Sequence, residues 1–292
     1  MLLNKAIEGF LLDVLSSGKS ETTERNYRSL LHRFSAHLGN PEIEVITIDD
    51  LRKYMVHSRA EVSRASLEQR RRIIRAFFTW CEAELDLPRP DVQLKPITGA
   101  RKDVIPFTHQ EIDWILKSID KNIVGRLRHT RVRDRAIVLV LLDTGIRLGE
   151  AARLLFDDVD FAKLSIQIRH HARGIKSRKR TVFVGKAASR ALWLHVIKNE
   201  INGGDSLFGI SDRSIQSMLK HIERRSGVDN IHPHRFRHTF AIQFLRNGGN
   251  VYTLQQLLGH ASLDMVKNYL RLAETDLAQA HRRSSPADNW KL

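Results

Sequence analysis

Between Asp86 and Val104 the helical periodicity of this chain gives way to a stretch holding Pro88, Pro90, Pro96, Gly99 and the basic pair Arg101-Lys102. Proline removes an amide donor and clashes with the preceding turn, and glycine weakens any helix it sits in, so no helix runs through such a segment. It reads as an interdomain linker, about residues 86–104. The 292 residues are enough for two domains of ordinary size, placed at 1–100 and 105–292.

The first part reads mostly helical. Glu21 to Leu38 sets Tyr27, Leu30, Leu31, Phe34 and Leu38 on one stripe, closed by Gly39. Thr47-Ile48-Asp49-Asp50 resembles a capping box and opens a helix through Met55. From Ser66 to Leu85, Ile74, Phe77, Phe78, Cys81 and Leu85 share a face, and Arg70, Arg72 and Arg75 lie largely off it. That basic face is either a solvated surface or a helix riding on phosphates.

The second part opens with the capping box Thr108-His109-Gln110-Glu111. A helix over about 131–144 is apolar from Ala136 to Leu142 and belongs in the core. Gly145 ends it, Arg147 falls in the turn, and a short helix starts at Leu148 and runs to Leu155. Leu164–Arg169 and Thr181–Val184 predict a β-hairpin with a basic connection over 170–180. Helices follow over 187–200, 211–226, 236–247, 253–258 and 262–270, with Gly227 and Gly248 at expected C-cap positions, and the chain ends in a polar tail. The fold expected is mostly α with a small β-hairpin or sheet.

Charge points to a polyanion. The formal net charge is +15, of which residues 1–104 carry +2 and residues 105–292 carry +13. Nucleic acid is the simplest partner for such an excess. Cys81 stands alone, so neither an intramolecular disulfide nor a cysteine-based zinc site is available. The beginning of the chain does not read as a signal peptide, and the run Ala136–Leu142 is far too short to span a bilayer. A cytoplasmic protein without membrane association is expected.

Three segments carry chemistry: Thr144-Gly145-Ile146-Arg147-Leu148-Gly149-Glu150, His232-Pro233-His234-Arg235-Phe236-Arg237-His238, and Leu257-Leu258-Gly259-His260 followed by Asn268-Tyr269. A phosphodiester resists attack because the nucleophile meets negative charge and the leaving alkoxide is poor. Guanidinium forks neutralise the non-bridging oxygens, histidines hydrogen-bond the phosphate and move protons, and a tyrosine can attack phosphorus and hold the strand covalently. Such a set does the work that two metals do elsewhere, so neither metal nor cofactor is expected. Each residue alone is unremarkable in a basic protein; the joint order and the nine-residue interval from His260 to Tyr269 are what carry a family resemblance.

These motifs resemble the tyrosine recombinase (phage integrase) family, including its Xer-type members. The resemblance covers about residues 105–280 by motif, and the helical first part agrees with the family's SAM-like core-binding domain. It implies a site-specific recombinase cutting through a 3′-phosphotyrosine, with the two domains forming a C-shaped clamp on double-stranded DNA sites and four protomers assembling as a homotetramer. Arg147, His234, Arg237, His260 and Tyr269 match catalytic positions, and Glu150 matches an acidic residue that supports the site. The family's general acid is a lysine of the hairpin. Gly174-Ile175-Lys176-Ser177-Arg178-Lys179-Arg180 departs from the usual pattern, which leaves Lys176 favoured and Lys179 as the alternative. Arg235 departs too, either as a phosphate contact or as an exposed residue. Arg70, Arg72, Arg75, Arg178, Lys179, Arg180 and Arg235 are the candidate DNA contacts. His232 and His238 read as structural or supporting groups. A type IB topoisomerase, or a non-catalytic DNA-binding protein on the same scaffold, is the competing reading.

Overall fold

The computed structural model describes residues 1–97, 105–121, 127–169 and 179–259, with single positions 263, 266, 269, 270, 285, 287 and 290 beyond them. Its contacts divide the chain into two units, Met1–Lys102 and Asp103–Leu292.

Four helices build the first unit: α1 (Leu3–Ser16), α2 (Glu21–Leu38), α3 (Ile48–Glu61) and α4 (Arg64–Leu85). The stop and start signals act as expected. Ser20 caps α2 through the Thr23 amide, Gly39 closes it at φ +76°, and Thr47 with Asp50 forms a reciprocal capping box at α3. α3 continues past Met55 to Glu61, with Ser58 buried on the same side as Tyr54 and Met55. Ile7 and Phe10 of α1, Leu31 and Phe34 of α2, Leu51 of α3 and Ile74, Phe77 and Phe78 of α4 form the core. The Phe10 and Phe77 rings meet edge-on, 5.7 Å apart.

Two expectations for this unit are corrected. Residues 86–97 are a packed strap rather than a linker: a 3₁₀ turn at Pro90–Gln93 packs on α3 and α4, while Leu87, Leu94 and Ile97 join the core. Prolines forbid a helix there, but they do not forbid burial. Glu68 pins the strap by accepting the Ile97 amide at 3.0 Å, and Asp91, fully buried, pairs with Arg89 at 2.8 Å. The remaining linker positions, 98–104, lie outside the described residues. Arg70 is likewise not on a solvent-facing basic stripe. It is 7% exposed and donates to Ser58 Oγ at 2.8 Å, with Glu61 at 3.4 Å. Arg72 and Arg75 are exposed.

The second unit holds α5 (His109–Asp120), α6 (Leu127–Thr144), α7 (Leu148–Ala151), α8 (Lys186–Lys198), α9 (Asp212–Ser226), α10 (Pro233–Arg246) and α11 (Val251–Leu258). Strands β1 (Val159–Asp160), β2 (Ser165–Ile168) and β3 (Arg180–Phe183) form one antiparallel sheet in that order, with Ser165 opposite Phe183 and Ile168 opposite Arg180. The hairpin is as expected, and β1 is an addition too short to be legible as alternation. α6 is the central element, packed on α5, α8 and α10. Ala136, Ile137, Val138, Val140 and Leu141 are fully buried, as a helix apolar on all sides must be. α7 is four residues long, shorter than the helix expected to Leu155. The chain leaves it to pair with the loop before α9: Leu207 N–H donates to Leu154 O at 2.7 Å, and Phe156 N–H to Asp205 O at 3.0 Å.

Candidate catalytic site

The turn after α6 sets the first arginine. Thr144 Oγ1 donates to the Val140 carbonyl and accepts the Ile146 amide, which closes the helix. Gly145 then takes φ +60°, and a Cβ there would lie 2.6 Å from Phe240 Cδ1. Only glycine meets both demands. Arg147 follows, half-buried, at the N-cap of α7. The Glu150 carboxylate accepts the Arg147 backbone amide at 2.8 Å and its Nη1 at 3.2 Å.

Glu150 is the anionic hub of the site. Beyond Arg147 it receives a two-pronged contact from Arg180, Nη1 at 2.9 Å and Nη2 at 2.8 Å. Burial by itself would raise its carboxyl. The Arg180 hydrogen bond and charge, with the Arg147 amide and charge, reverse that and bring it down to about 2. Glu150 is therefore ionised, and its fit to Arg147 agrees with a role in orienting that side chain. Arg180 corrects an expectation. Rather than facing solvent, its side chain is 7% exposed, and its Nε also donates to Leu257 O at 2.7 Å. Arg180 thus ties β3 to both Glu150 and the end of α11.

α10 carries the His-x-x-Arg motif. His232 Nδ1 accepts the Arg235 amide at 3.2 Å as N-cap, and Pro233 occupies the first turn, where its missing amide removes nothing. His234 is exposed on that turn. Desolvation, then the charges of Arg237, His232 and Arg147, hold its imidazole below the ordinary value, although the side chain still reaches solvent. Arg237 is 5% exposed. Its Nη1 and Nη2 donate to the carbonyls of Gly145 and Leu258, both at 2.7 Å. Burial lowers its pKa to about 10, with Arg147 adding to the effect, so it stays a cation at neutral pH. Arg237 and Arg180 between them clamp the last two carbonyls of α11, directly before Gly259, which closes the helix at φ +63°.

Arg235, two residues before the motif's arginine, departs from the expectation that it is exposed. It points into the protein, where it pairs with Glu111 at 2.6 Å, donates to Ile105 O and Asp229 O, and lies 3.9 Å above the Phe107 ring. It is buried rather than exposed.

Tyr269 is 7% exposed and packs in a small cluster with Ala241, Ile242, Leu254, Leu258 and Val266. Its hydroxyl lies 2.8 Å from His238 Nδ1. Burial raises the phenol's pKa, and the charges of Arg237 and Arg147 act against that rise. The structure therefore brings Arg147, Glu150, Arg237 and Tyr269 into one charge-coupled group, with His234 on the same helix. Lys176, Arg178 and His260 lie outside the described residues. Lys179 is described, exposed just before β3. His238 was read as a supporting group, and the structure puts it on the tyrosine hydroxyl. The signal for it was its spacing, four residues after His234, which puts the two on the same helix face.

The Phage integrase family pattern matches residues 106–276, and the pattern described as Phage integrase, N-terminal SAM-like domain matches residues 7–84. Among relatives, the Tyrosine recombinase XerC of Oceanobacillus iheyensis is 30% identical, over 94% of this chain and 93% of its own length. Among solved structures, a Tn1549 transposon integrase in complex with a circular intermediate DNA aligns with TM-score 0.76 at 19% identity, covering 97% of this chain and 99% of that one. The XerH site-specific recombinase bound to its palindromic difH substrate, a post-cleavage complex, aligns with TM-score 0.72 at 19% identity, covering 91% and 80%. The last two likenesses speak to the fold.

Proposed function

The chain belongs to the phage integrase family, and from that premise we propose that it is a site-specific DNA recombinase whose Tyr269 breaks a strand and keeps its end as a 3′-phosphotyrosine. The observation that carries this reading is the placement of the Tyr269 hydroxyl against the His-x-x-Arg helix, within reach of the charges of both Arg147 and Arg237. A scissile phosphate between those two guanidinium groups would have its developing charge met by fixed cations. His234 hydrogen-bonds a non-bridging oxygen, and His260, which follows Gly259 in sequence, completes the set. Glu150 holds Arg147 from behind. Lys176, with Lys179 as the alternative, donates a proton to the leaving 5′ oxygen. The phosphotyrosine conserves the bond energy, so a new 5′-hydroxyl reseals the strand without ATP.

The substrate is double-stranded DNA carrying recombination sites, gripped through cations that include the exposed Arg72, Arg75 and Lys179, with Arg178 of the hairpin connection as a further candidate. A homotetramer holding two sites, acting at the nucleoid in the cytoplasm, is the assembly proposed. No helix among the described residues is long and apolar enough to cross a membrane. Similarity to a tyrosine recombinase along nearly the whole chain favours recombination over simple relaxation of one duplex, and over DNA binding without catalysis.

Covalent trapping tests the reading. The protein is incubated in EDTA with sheared DNA from its own source and denatured, and protein-linked fragments are recovered and sequenced. Adducts in the wild type and none in Tyr269→Phe are expected. An adduct that persists in Tyr269→Phe overturns the nucleophile, and one that needs divalent metal overturns the metal-free mechanism.

A further inference from the structure

His238 follows Arg237 directly on α10 and lies one turn beyond His234. It is half-buried, and its Nδ1 is 2.8 Å from the Tyr269 hydroxyl. The ring centroids are 5.4 Å apart at 53°, a tilted approach that aims a ring nitrogen at the oxygen rather than stacking the faces. Burial, with the neighbouring His234, His232 and Arg237, brings the His238 imidazole down to about 4, so it is neutral at physiological pH. Between a phenol and a neutral imidazole, the phenol is the stronger acid and the unprotonated ring nitrogen the stronger base. The shared proton therefore sits on the tyrosine oxygen, Nδ1 accepts it, and Nε2 carries the ring hydrogen.

Tyrosine must lose that proton to become an ester, and burial holds the phenol's pKa up. Arg147 and Arg237 have no lone pair to receive it. His238 Nδ1 is already in contact with it. We propose that His238 is a further catalytic residue for strand cleavage, its Nδ1 orienting the Tyr269 hydroxyl and accepting its proton as the oxygen attacks phosphorus.

The inference rests on the strand-cleavage reading above. The step balances: the phenolic oxygen bonds to phosphorus, its hydrogen passes to Nδ1 to give an imidazolium, and the bond from phosphorus to the 5′ oxygen breaks, that oxygen taking a proton from the general acid. In resealing, the imidazolium returns the proton to the departing tyrosine oxygen. Two effects make a neutral, poorly basic imidazole sufficient. The bound phosphodiester is an anion and offsets the cations that depress His238. The phenolic proton also becomes far more acidic as the oxygen–phosphorus bond forms, so transfer comes late and runs downhill.

The test uses the full chain and the duplex recovered by covalent trapping, nicked near the cleavage point so that adducts accumulate. His238→Ala should bind this duplex as the wild type does, yet form adduct slower by about 10²–10⁴-fold, the range of a lost general base. His238→Asn keeps an amide oxygen close to the Nδ1 position, able to hold the hydroxyl but not to carry its proton, so it should fold and bind normally and still be slow. Adduct formation at the wild-type rate in His238→Ala overturns the proposal, and the same result in His238→Asn overturns the proton transfer. A spectroscopic arm does not depend on cleavage. In ¹⁵N NMR of histidine-labelled, DNA-free protein, His238 Nδ1 should resonate as an unprotonated, hydrogen-bonded nitrogen and shift in Tyr269→Phe; a protonated Nδ1, or no shift, overturns the hydrogen bond as described. A wild type that forms no adduct sinks the recombinase reading and the proton transfer with it, while the NMR result still decides the contact.

Discussion

Arginine side chains in this protein divide into those that face outward and those locked inside, and residue type does not tell them apart. Arg70, Arg180 and Arg235 sit in basic runs but are bound to Ser58 and Glu61, to Glu150, and to Glu111. Breaking such a buried pair by removing one partner costs about 3–5 kcal/mol, because the other charge is left without compensation. Arg235→Ala should therefore lower stability in urea denaturation by that order, while the DNA affinity of the fraction still folded stays unchanged. A loss of affinity without loss of stability would return Arg235 to the DNA surface. Glu150 allows a pH prediction with a definite sign. A carboxyl lowered from 4.5 to about 2 contributes stability that is complete above about pH 4.5 and is lost as pH falls towards 2. At 1.36 kcal/mol per pKa unit this is about 3 kcal/mol for a group so fully buried. Glu150→Gln should be less stable than the wild type at neutral pH, and the gap should narrow in acid below pH 4.5. A gap that is constant down to pH 2 would mean the carboxylate is not held by Arg180 and Arg147.

At the scale of elements, a single turn decides whether the two arginines meet. Gly145 bends the chain after α6 so that its carbonyl accepts Arg237 while Arg147 enters α7 two residues later. Gly145→Ala must adopt a left-handed backbone, at about 1–2 kcal/mol, and must also push Phe240 aside. Folding should survive, judged by circular dichroism, while adduct formation falls by about 10²-fold or more, as when an electrostatic donor is displaced. Wild-type adduct rates would show that the turn does not set the clamp. The caps that define α2, α3 and α5 were legible because their partners are three residues away. The strap over 86–97 was not, since its fixing contacts, Glu68 to the Ile97 amide and Leu94 to the core, come from far along the chain.

For the whole molecule, the separation of cores is the governing feature. The residues packed around Phe34 and Phe77 and those packed around α6 form distinct clusters. A fragment of residues 1–102 should therefore unfold cooperatively in a denaturant titration; a non-cooperative melt would show that the second unit completes its core. The charge balance makes a second prediction. With +13 on residues 105–292, DNA binding should release many counterions, and 6–10 phosphate contacts correspond to roughly a 10³–10⁵-fold loss of affinity between 50 and 200 mM salt. A flat salt dependence by fluorescence anisotropy would argue against a phosphate-dominated interface.

Periodicity, caps and glycine stops located most of the helices and the hairpin, though not α1 or the short extent of α7, and the order of Arg147, His234, Arg237 and Tyr269 carried the family resemblance that supplied the class of chemistry, because each depends on residues close in sequence or on a motif read in order. Tertiary structure alone decided the partners. It turned Arg180 and Arg235 inward, closed the strap onto the first core, and set His238 against the hydroxyl of a tyrosine 31 residues away. The physical reason is the same in each case. A charge or a ring nitrogen gains its role from what lies within about 3 Å of it, the range of a hydrogen bond, and neighbours at that distance come from chain segments that the local pattern cannot join.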